Sequence, residues 1–256
     1  MNPRPILSAL HQQTLHSLYA RTVPWADRDP IVSFTFDDFP RTAYSVGGAI
    51  LRCFGAHGTY YTAPGLMGTS NELGEQFLSE DIHSLVDDGH ELASHTFSHL
   101  SSRAVPPSVY GEDFERGRKA LREVAGIPDS GNFAFPFGHV TLNTKRIVGP
   151  KTSSSRSIFP GFNGPEVDLN LLRANSLYGG MDQFEKARQL ILENEKRKTW
   201  LIFYSHDVRS TPSPYGCSPQ LLEATAAYAI QRGCRILTVS EVVTELEARS
   251  ALSSLK

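Results

Sequence analysis

Cysteine is scarce in this chain of 256 residues, which contains only Cys53, Cys217 and Cys234. An odd number of cysteines at such wide spacing argues against a disulfide framework and against a cysteine-ligated metal cluster. We interpret all three as ordinary free thiols.

A large charge of one sign is also missing, because the formal net charge is −2. Such a balance gives no reason to expect nucleic acid or an anionic membrane as a partner. No stretch is apolar for long enough to cross a bilayer, and residues 1–25 lack the continuous apolar core of a secretory signal. We therefore expect a cytoplasmic protein without a membrane span, and no sequence pattern indicates an oligomeric state.

What the sequence does contain is an alternation of short strand-like runs with longer helical segments. This alternation predicts parallel strands joined by helices, and seven or eight such units in about 220 residues favour a barrel over an open sheet. The expected fold is therefore α/β, a distorted (β/α)7-8 barrel in a single domain over 31–256. Residues 1–30 are interpreted as an N-terminal extension packed on the barrel, with a helix near 5–20. The predicted strands are 31–36, 58–63, 90–94, 132–136, 153–158, 169–174, 200–205 and 235–239, and the predicted helices lie near 43–54, 73–88, 112–125, 183–197, 219–232 and 240–248.

Two proline-containing loops, 159–168 and 207–219, each follow a predicted strand. In a parallel barrel this places them on the face where the strands end, which is where active sites are built. A plain connector is the simpler interpretation of either loop. If the second one borders a site, Tyr215 offers a flat apolar face to a bound ligand.

Two carboxylates stand where the first predicted strand ends, in TFDDFP (35–40). Neighbouring side chains inside a strand point to opposite faces, so Asp37 and Asp38 can serve one pocket only if the chain turns there. Pro40 makes such a break plausible. The simpler alternative is a solvated turn, in which aspartate is common.

Histidines four residues apart follow the third predicted strand, at His95 and His99. On one helical turn this spacing presents two imidazoles to one metal ion. A chance pair is the alternative, because the chain has nine histidines. A further apolar run, 200–205, delivers His206 at its end. One barrel mouth would gather all of these residues.

Four segments, in this order, resemble the sequence boxes of the polysaccharide deacetylases of carbohydrate esterase family 4, the NodB-homology domain. TFDDFP (35–40) is similar to the TFDDGP box, and GHELASHTFSH (89–99) is similar to the metal-histidine box. FAFPFG (133–138) resembles the RxPYG box, and LIFYSHD (201–207) resembles the closing box. The resemblance covers roughly residues 31–245 and implies a distorted barrel with a divalent metal, usually zinc, although cobalt, nickel or iron also suit such a ligand set.

The resemblance also implies a role for each matching residue. Asp38, His95 and His99 would hold the metal, and the neighbouring Asp37 would take a proton from water. In the amide hydrolysis that the resemblance implies, the backbone N–H of Phe137 would stabilise the oxyanion of the tetrahedral intermediate.

The remaining roles are proton donation to the leaving group and binding of the substrate. His206 would protonate the departing nitrogen, a role that suits the ordinary pKa of imidazole, about 6.5. Tyr204, Tyr215 and Phe137 are the predicted substrate-binding side chains.

The chain departs from the family pattern in four places. Phe39 stands where the first box has glycine, Ala134 where the third has arginine, and Tyr204 where the last has leucine. The fourth box, a tryptophan with acidic partners, has no clear match. Arg156 is our candidate for the work of the missing arginine, since it lies on the next predicted strand, close to the C-terminal end of that strand. Asp168 is a weaker candidate for the acidic partner.

The expected function is hydrolysis of N-acetyl groups on an amino-sugar polymer or oligosaccharide, with an N-acetylated carbohydrate as the substrate. One alternative keeps the metal but changes the substrate to a small non-sugar amide or ester. Another is a catalytically silent carbohydrate-binding barrel. Asp37 and His206 argue against the silent alternative, because binding alone needs neither.

Overall fold

The structure, a computed structural model, describes residues 14–25 and 29–253. Its strands are β1 (Thr22–Pro24), β2 (Ile31–Asp37), β3 (Thr59–Thr62), β4 (Ser70–Asn71), β5 (Gly74–Glu75), β6 (Glu91–Ser94), β7 (Asn132–Ala134), β8 (Ser154–Arg156), β9 (Glu166–Asp168), β10 (Asn175–Ser176), β11 (Trp200–Ser205) and β12 (Arg235–Ile236). Its helices are a π-helix (Ala43–Gly48) that continues into α1 (Ala49–Cys53), then α2 (Ser79–Asp87), α3 (Pro107–Ala125), α4 (Leu142–Val148), α5 (Phe184–Arg197), α6 (Pro219–Gln231) and α7 (Val239–Ser253). Short 3-10 turns span Pro64–Leu66, Pro136–Gly138, Gly149–Lys151 and Met181–Gln183.

The main sheet follows the order β10-β11-β2-β3-β6-β7-β8, and β12 adds to β2. Every pairing in it is parallel, as expected when strands alternate with helical crossovers. The carboxyl ends of all its strands therefore meet at one mouth. This curled sheet with helices packed on it is a distorted (β/α) barrel in a single domain, which confirms the predicted fold.

Alternation along β2 determines which side chains reach the mouth. Val32, Phe34 and Phe36 pack in one apolar cluster with side chains of α1 and α6, and burying each contributes about 1.5–3 kcal/mol. Because successive side chains point to opposite faces, Ser33 and Asp37 point the other way. There the indole of Trp200 donates to Ser33 Oγ at 2.9 Å. The same pattern that builds the core thus directs Asp37 into the barrel.

The sheet is not a closed cylinder. The prediction of a strand at 169–174 was wrong. This segment is irregular and lies between β9 and β10. It nevertheless binds β8, because Leu172 N donates to Ser155 O at 2.8 Å and Ser157 N donates to Leu172 O at 2.9 Å. The predicted helix 73–88 begins only at Ser79, because residues 70–75 form the hairpin β4–β5.

The described part of the N-terminal segment contacts the barrel. Strand β1 pairs antiparallel with β9, and the Trp25 ring stacks on Trp200 at a centroid distance of 6.2 Å. Residues 14–17 are helical, while the start of the helix predicted near 5–20 lies outside the described residues. Among the described residues, no helix is both long and apolar enough to cross a bilayer.

Candidate active site

The two aspartates of the first strand share the mouth because the backbone turns sharply after Asp37. Asp38 and Phe39 both adopt left-handed backbone conformations, with φ of 66° and 64°. This conformation is uncommon outside glycine. The buried Phe39 ring stacks on Phe77 at 5.0 Å and holds the turn in place. The glycine expected at this position is therefore replaced by a residue that is anchored through its side chain.

Asp38, His95 and His99 converge on one point. One ligand atom from each lies within 4.8 Å of the others, and His99 Nε2 lies 3.0 Å from Asp38 Oδ1. His95 Nε2 lies 3.5 Å from the same oxygen. Burial raises the pKa of Asp38 to about 6 and lowers the pKa values of His95 and His99 to about 3 and 4.

These three residues fit a divalent cation. The Nδ1 atom of His95 lies 2.7 Å from the carbonyl oxygen of Ala134, so Nδ1 carries the proton and Nε2 presents a lone pair. That lone pair faces Asp38 Oδ1, which is buried and has no hydrogen-bond partner among the described residues. Acceptors that face one another in a buried place need a cation between them, and Ala134 helps through its backbone rather than its side chain.

Asp37 is held by Arg156. The Arg156 guanidinium donates from Nη2 to Asp37 Oδ1 and from Nη1 to the carbonyl of Ser157 at 3.1 Å. Burial by itself raises the pKa of Asp37, but Arg156, followed by His95 and His206, outweighs it and the pKa is lowered. The strand order therefore delivers the arginine to the position expected from the sequence, and Asp37 is kept as a carboxylate.

Arg156 is itself enclosed by aromatic faces. Its guanidinium carbon lies 4.8 Å from the centroid of Tyr61 and 5.3 Å from that of Tyr204. Such contacts compensate in part for the removal of the cation from water. Only 1% of Arg156 is exposed, so its position is determined by packing.

Phe137 lies on the rim of the mouth and is 55% exposed. Its backbone is left-handed, with φ of 58°, and its ring lies 4.4 Å from that of His99. The side chain of this residue is thus directed over the histidine cluster. An exposed aromatic ring beside a polar site is a suitable contact for one face of a sugar.

His206 leaves the end of β11 and lines the same cavity as both aspartates, a space of about 240 Å³. Its Nδ1 lies 3.1 Å from the carbonyl oxygen of Tyr215. Tyr215 is 47% exposed, and Tyr204 also lines this cavity. The residues predicted for metal binding, proton transfer and substrate binding therefore meet at one mouth.

The loop 207–219 is built around the buried carboxylate of Asp207. That carboxylate accepts from Ser213 N at 2.9 Å and from the Ser213 hydroxyl. Arg209 Nε lies 2.7 Å from it, and Arg209 also reaches the carbonyl of Glu72 in the hairpin turn between β4 and β5. The loop thereby borders the cavity, and it is tied to the hairpin on the rim.

Asp168 does not belong to this site, and that weaker candidate was wrong. Its carboxylate accepts from Lys145 Nζ at 2.7 Å, from Arg21 N at 3.0 Å and from Asn170 N at 3.0 Å. It is therefore a structural carboxylate that joins α4 to the N-terminal segment.

Sequence reasoning missed four residues that also line the cavity, namely Glu72, Leu73, Ile158 and Tyr178. Leu73 lies in a segment predicted as helix, and Glu72 directly precedes that segment. Tyr178 follows a strand of only two residues, which is too short to give a periodic signal. Ile158 is the last residue of the predicted strand 153–158, and this position was its only signal.

Comparison with known proteins finds a family match. Residues 26–149, just under half of the chain, match the sequence model described as polysaccharide deacetylase. The matched segment contains Asp37, Asp38, His95, His99 and Phe137, whereas Arg156 and His206 lie beyond it.

Three solved structures illustrate which proteins share this fold. The Xyl-CE4 domain of a multidomain xylanase from the hindgut metagenome of Trinervitermes trinervoides is 16% identical, with a TM-score of 0.59 over 85% of this chain and 91% of that one. The Bc1960 peptidoglycan N-acetylglucosamine deacetylase is 14% identical, with a TM-score of 0.58 over 90% and 95%. BA3943 from Bacillus anthracis, described as a CE4 family pseudoenzyme, is 12% identical, with a TM-score of 0.52 over 84% and 66%. No curated protein matches the chain.

Proposed function

We propose that this protein is a metal-dependent hydrolase that removes N-acetyl groups from an amino-sugar polysaccharide or oligosaccharide. The observation that carries the proposal is the pairing of two distinct carboxylates in one cavity. Oδ1 of Asp38 faces two histidines and has no hydrogen-bond partner in the described part of the chain. Its neighbour Asp37 is neutralised by Arg156. Metal binding and proton transfer are thereby divided between adjacent residues.

The cavity size supports a substrate that enters by one end. A volume of about 240 Å³ is below the about 300–1,000 Å³ of sites that enclose a whole small ligand. It suits an acetamido group with part of a sugar ring. The rest of the sugar would lie against the exposed rings of Phe137 and Tyr215.

Each side chain has a defined task in hydrolysis of the amide. Asp37, held as a carboxylate by Arg156, removes a proton from the attacking water. The backbone N–H of Phe137 donates to the oxygen that becomes negative as the carbonyl carbon turns tetrahedral. His206 acts in its doubly protonated form, in which Nδ1–H donates to the Tyr215 carbonyl and Nε2–H gives its proton to the departing nitrogen as the C–N bond breaks.

Asp38, His95 and His99 would hold the metal. When bound, a divalent ion supplies Lewis-acid polarisation of the carbonyl and makes water more acidic. Zinc suits two imidazoles and a carboxylate, and cobalt, nickel and iron remain chemically compatible.

The direct test is acetate release from acetylated chito-oligosaccharides by protein freed of metal and then supplied with zinc. We expect activity only with the metal. Activity of the metal-free protein would contradict metal dependence. Activity confined to small aryl amides or esters would replace the sugar by the alternative substrate class. Saturable sugar binding without any hydrolysis would support a silent barrel such as that of the pseudoenzyme relative.

Loss of one metal ligand should abolish tight metal binding. Isothermal titration with zinc is expected to give one site per chain in the unaltered protein and none of comparable affinity in His99→Ala. The exposed His83 on α2 provides the matched control, and His83→Ala should bind zinc normally. If His99→Ala retained the affinity of the unaltered protein, the ligand set would be wrong.

Removal of the proposed acid should slow the reaction without releasing the metal. His206→Ala is expected to lower kcat on the sugar amide about 100-fold or more, since general acids contribute about 100- to 10,000-fold. Metal content, measured by atomic emission, should stay at the level of the unaltered protein. Near-normal turnover of this variant would require another proton donor.

A further inference from the structure

We propose that Tyr178 is a positioning residue that holds the His206 imidazole in the orientation from which it protonates the leaving nitrogen. This inference rests on the proposed function and concerns a residue that no sequence box contains. It starts from the contacts of His206, whose polar partner is a neutral carbonyl, that of Tyr215. One hydrogen bond fixes the tautomer of an imidazole but leaves rotation about that bond open, so a second contact is needed.

The backbone around Tyr178 is fixed from two sides. Leu177 N donates to the carbonyl of Tyr204 at 2.9 Å, so the segment stays beside β11. Gly179 N donates to the carbonyl of Gly216 at 2.8 Å, and Gly179 O accepts from Ser218 N at 2.8 Å. Tyr178 is thus clamped between the strand that carries His206 and the loop that supplies its carbonyl partner.

The Tyr178 ring touches the aromatic rings around the imidazole. Its centroid lies 6.1 Å from that of His206 with planes at 49° and 6.1 Å from that of Tyr215 at 80°. It also meets Tyr204 edge-on at 5.5 Å. Tyr204 in turn lies against the guanidinium of Arg156. A continuous wall of rings therefore connects the residue that holds Asp37 with the residue that holds His206.

The phenols of Tyr178 and Tyr204 carry no charge at neutral pH. Burial and the neighbouring phenol of Tyr204 raise the pKa of Tyr178, and burial likewise raises the pKa of Tyr204. Tyr178 therefore acts on His206 through shape and contact. A ring of the same shape without the hydroxyl should perform the same task, and a small side chain should not.

The experiment compares Tyr178→Ala, Tyr178→Phe and a control, Tyr228→Ala, which removes a tyrosine packed against Phe184. With acetylated chito-oligosaccharide, Tyr178→Ala should lose about 10- to 100-fold in kcat, part of what a general acid contributes, with KM changed little. Tyr178→Phe should restore most of that loss. With 4-nitrophenyl acetate, whose leaving group departs without a proton, Tyr178→Ala should turn over as the unaltered protein does.

A second readout is independent of turnover. The imidazole ¹⁵N chemical shifts of His206 in the zinc-loaded protein, assigned by comparison with His206→Ala, should indicate an Nδ1–H tautomer in the unaltered protein and in Tyr178→Phe. In Tyr178→Ala the ring is free to tilt away from the Tyr215 carbonyl, so the hydrogen bond that fixes the tautomer is partly lost and a mixture of tautomers should appear.

The outcomes separate the two proposals. Equal losses on the amide and the aryl ester, a change confined to KM, or unchanged His206 shifts in Tyr178→Ala would overturn the positioning role. If the unaltered protein hydrolysed no acetyl compound while the His206 shifts still depended on Tyr178, the proposed function would fail and the positioning role would stand.

Discussion

Replacement of Asp37 by asparagine is expected to lower kcat about 100- to 10,000-fold, the contribution typical of a general base. Asparagine keeps the shape of the side chain and can still face Arg156, but it cannot accept a proton from water at neutral pH. Because Asp37 is not among the three metal-ligand candidates, zinc should remain bound at one ion per chain. The measurement is steady-state acetate release, with metal content determined on the same sample.

Two control variants make this result specific. Asp129→Asn removes a carboxylate that pairs with Arg118, and its kcat should stay normal. Asp38→Asn should lose both activity and metal. If Asp37→Asn lost its metal as well, Asp37 would be a ligand or a support for one, and the proton-transfer role would need another residue.

Replacement of Arg156 by methionine should lower the free energy of unfolding, because it removes one partner of a buried ion pair. Breaking such a pair typically lowers the free energy of unfolding by about 3–5 kcal/mol, since the remaining charge stays buried and unpaired. Urea denaturation of the metal-free protein at pH 7 measures this change. Lys119→Met breaks an exposed ion pair with Glu123 and should cost about 1 kcal/mol or less.

The pH dependence of this loss has a definite sign. In the unaltered protein the pKa of Asp37 is lowered, so its pairing contributes stability above the ordinary carboxyl range, and that stability is lost as pH falls through the lowered pKa. Without Arg156, burial is no longer outweighed, and the pKa of Asp37 rises. The variant should then take up a proton at mildly acidic pH and regain stability there. The difference in the free energy of unfolding between the unaltered protein and the variant must therefore narrow as pH falls from 7 towards 4. A difference that stayed constant over this range would contradict the pairing of Arg156 with Asp37.

The metal-ligand candidates were predictable because each depends on a local pattern. Asp37 and Asp38 end an apolar run, and His95 and His99 follow another, so strand ends alone place them at one mouth. Arg156 required one further step, the order of strands in a parallel sheet. That step succeeded because β7 and β8 are consecutive in the chain and adjacent in the sheet.

The failures have a physical reason as well. Asp168 could not be assigned from its neighbours, because Lys145 and the N-terminal segment that neutralise it are distant in sequence. Tyr178 is placed by hydrogen bonds to two other segments, and no periodicity marks its strand. Long-range contacts of this kind leave no local trace, so a site assembled by them can be identified only when the whole fold is known.

The left-handed backbone positions at the mouth have a consequence for attempts to engineer this protein. Asp38, Phe39, Thr96, His99 and Phe137 all have positive φ, and each such residue costs about 1–2 kcal/mol compared with a relaxed backbone. The fold therefore carries this conformational free-energy cost in the loops that contain the metal-ligand candidates and form the rim of the mouth. A screen that selects variants for thermal resistance alone would favour glycine or rearranged turns at Asp38, His99 and Phe137, although not at Phe39, whose buried ring anchors its turn. Such a screen would yield a more stable barrel in which the side chains of the candidate site are no longer correctly positioned. Stabilising substitutions are therefore better placed on the outer helices.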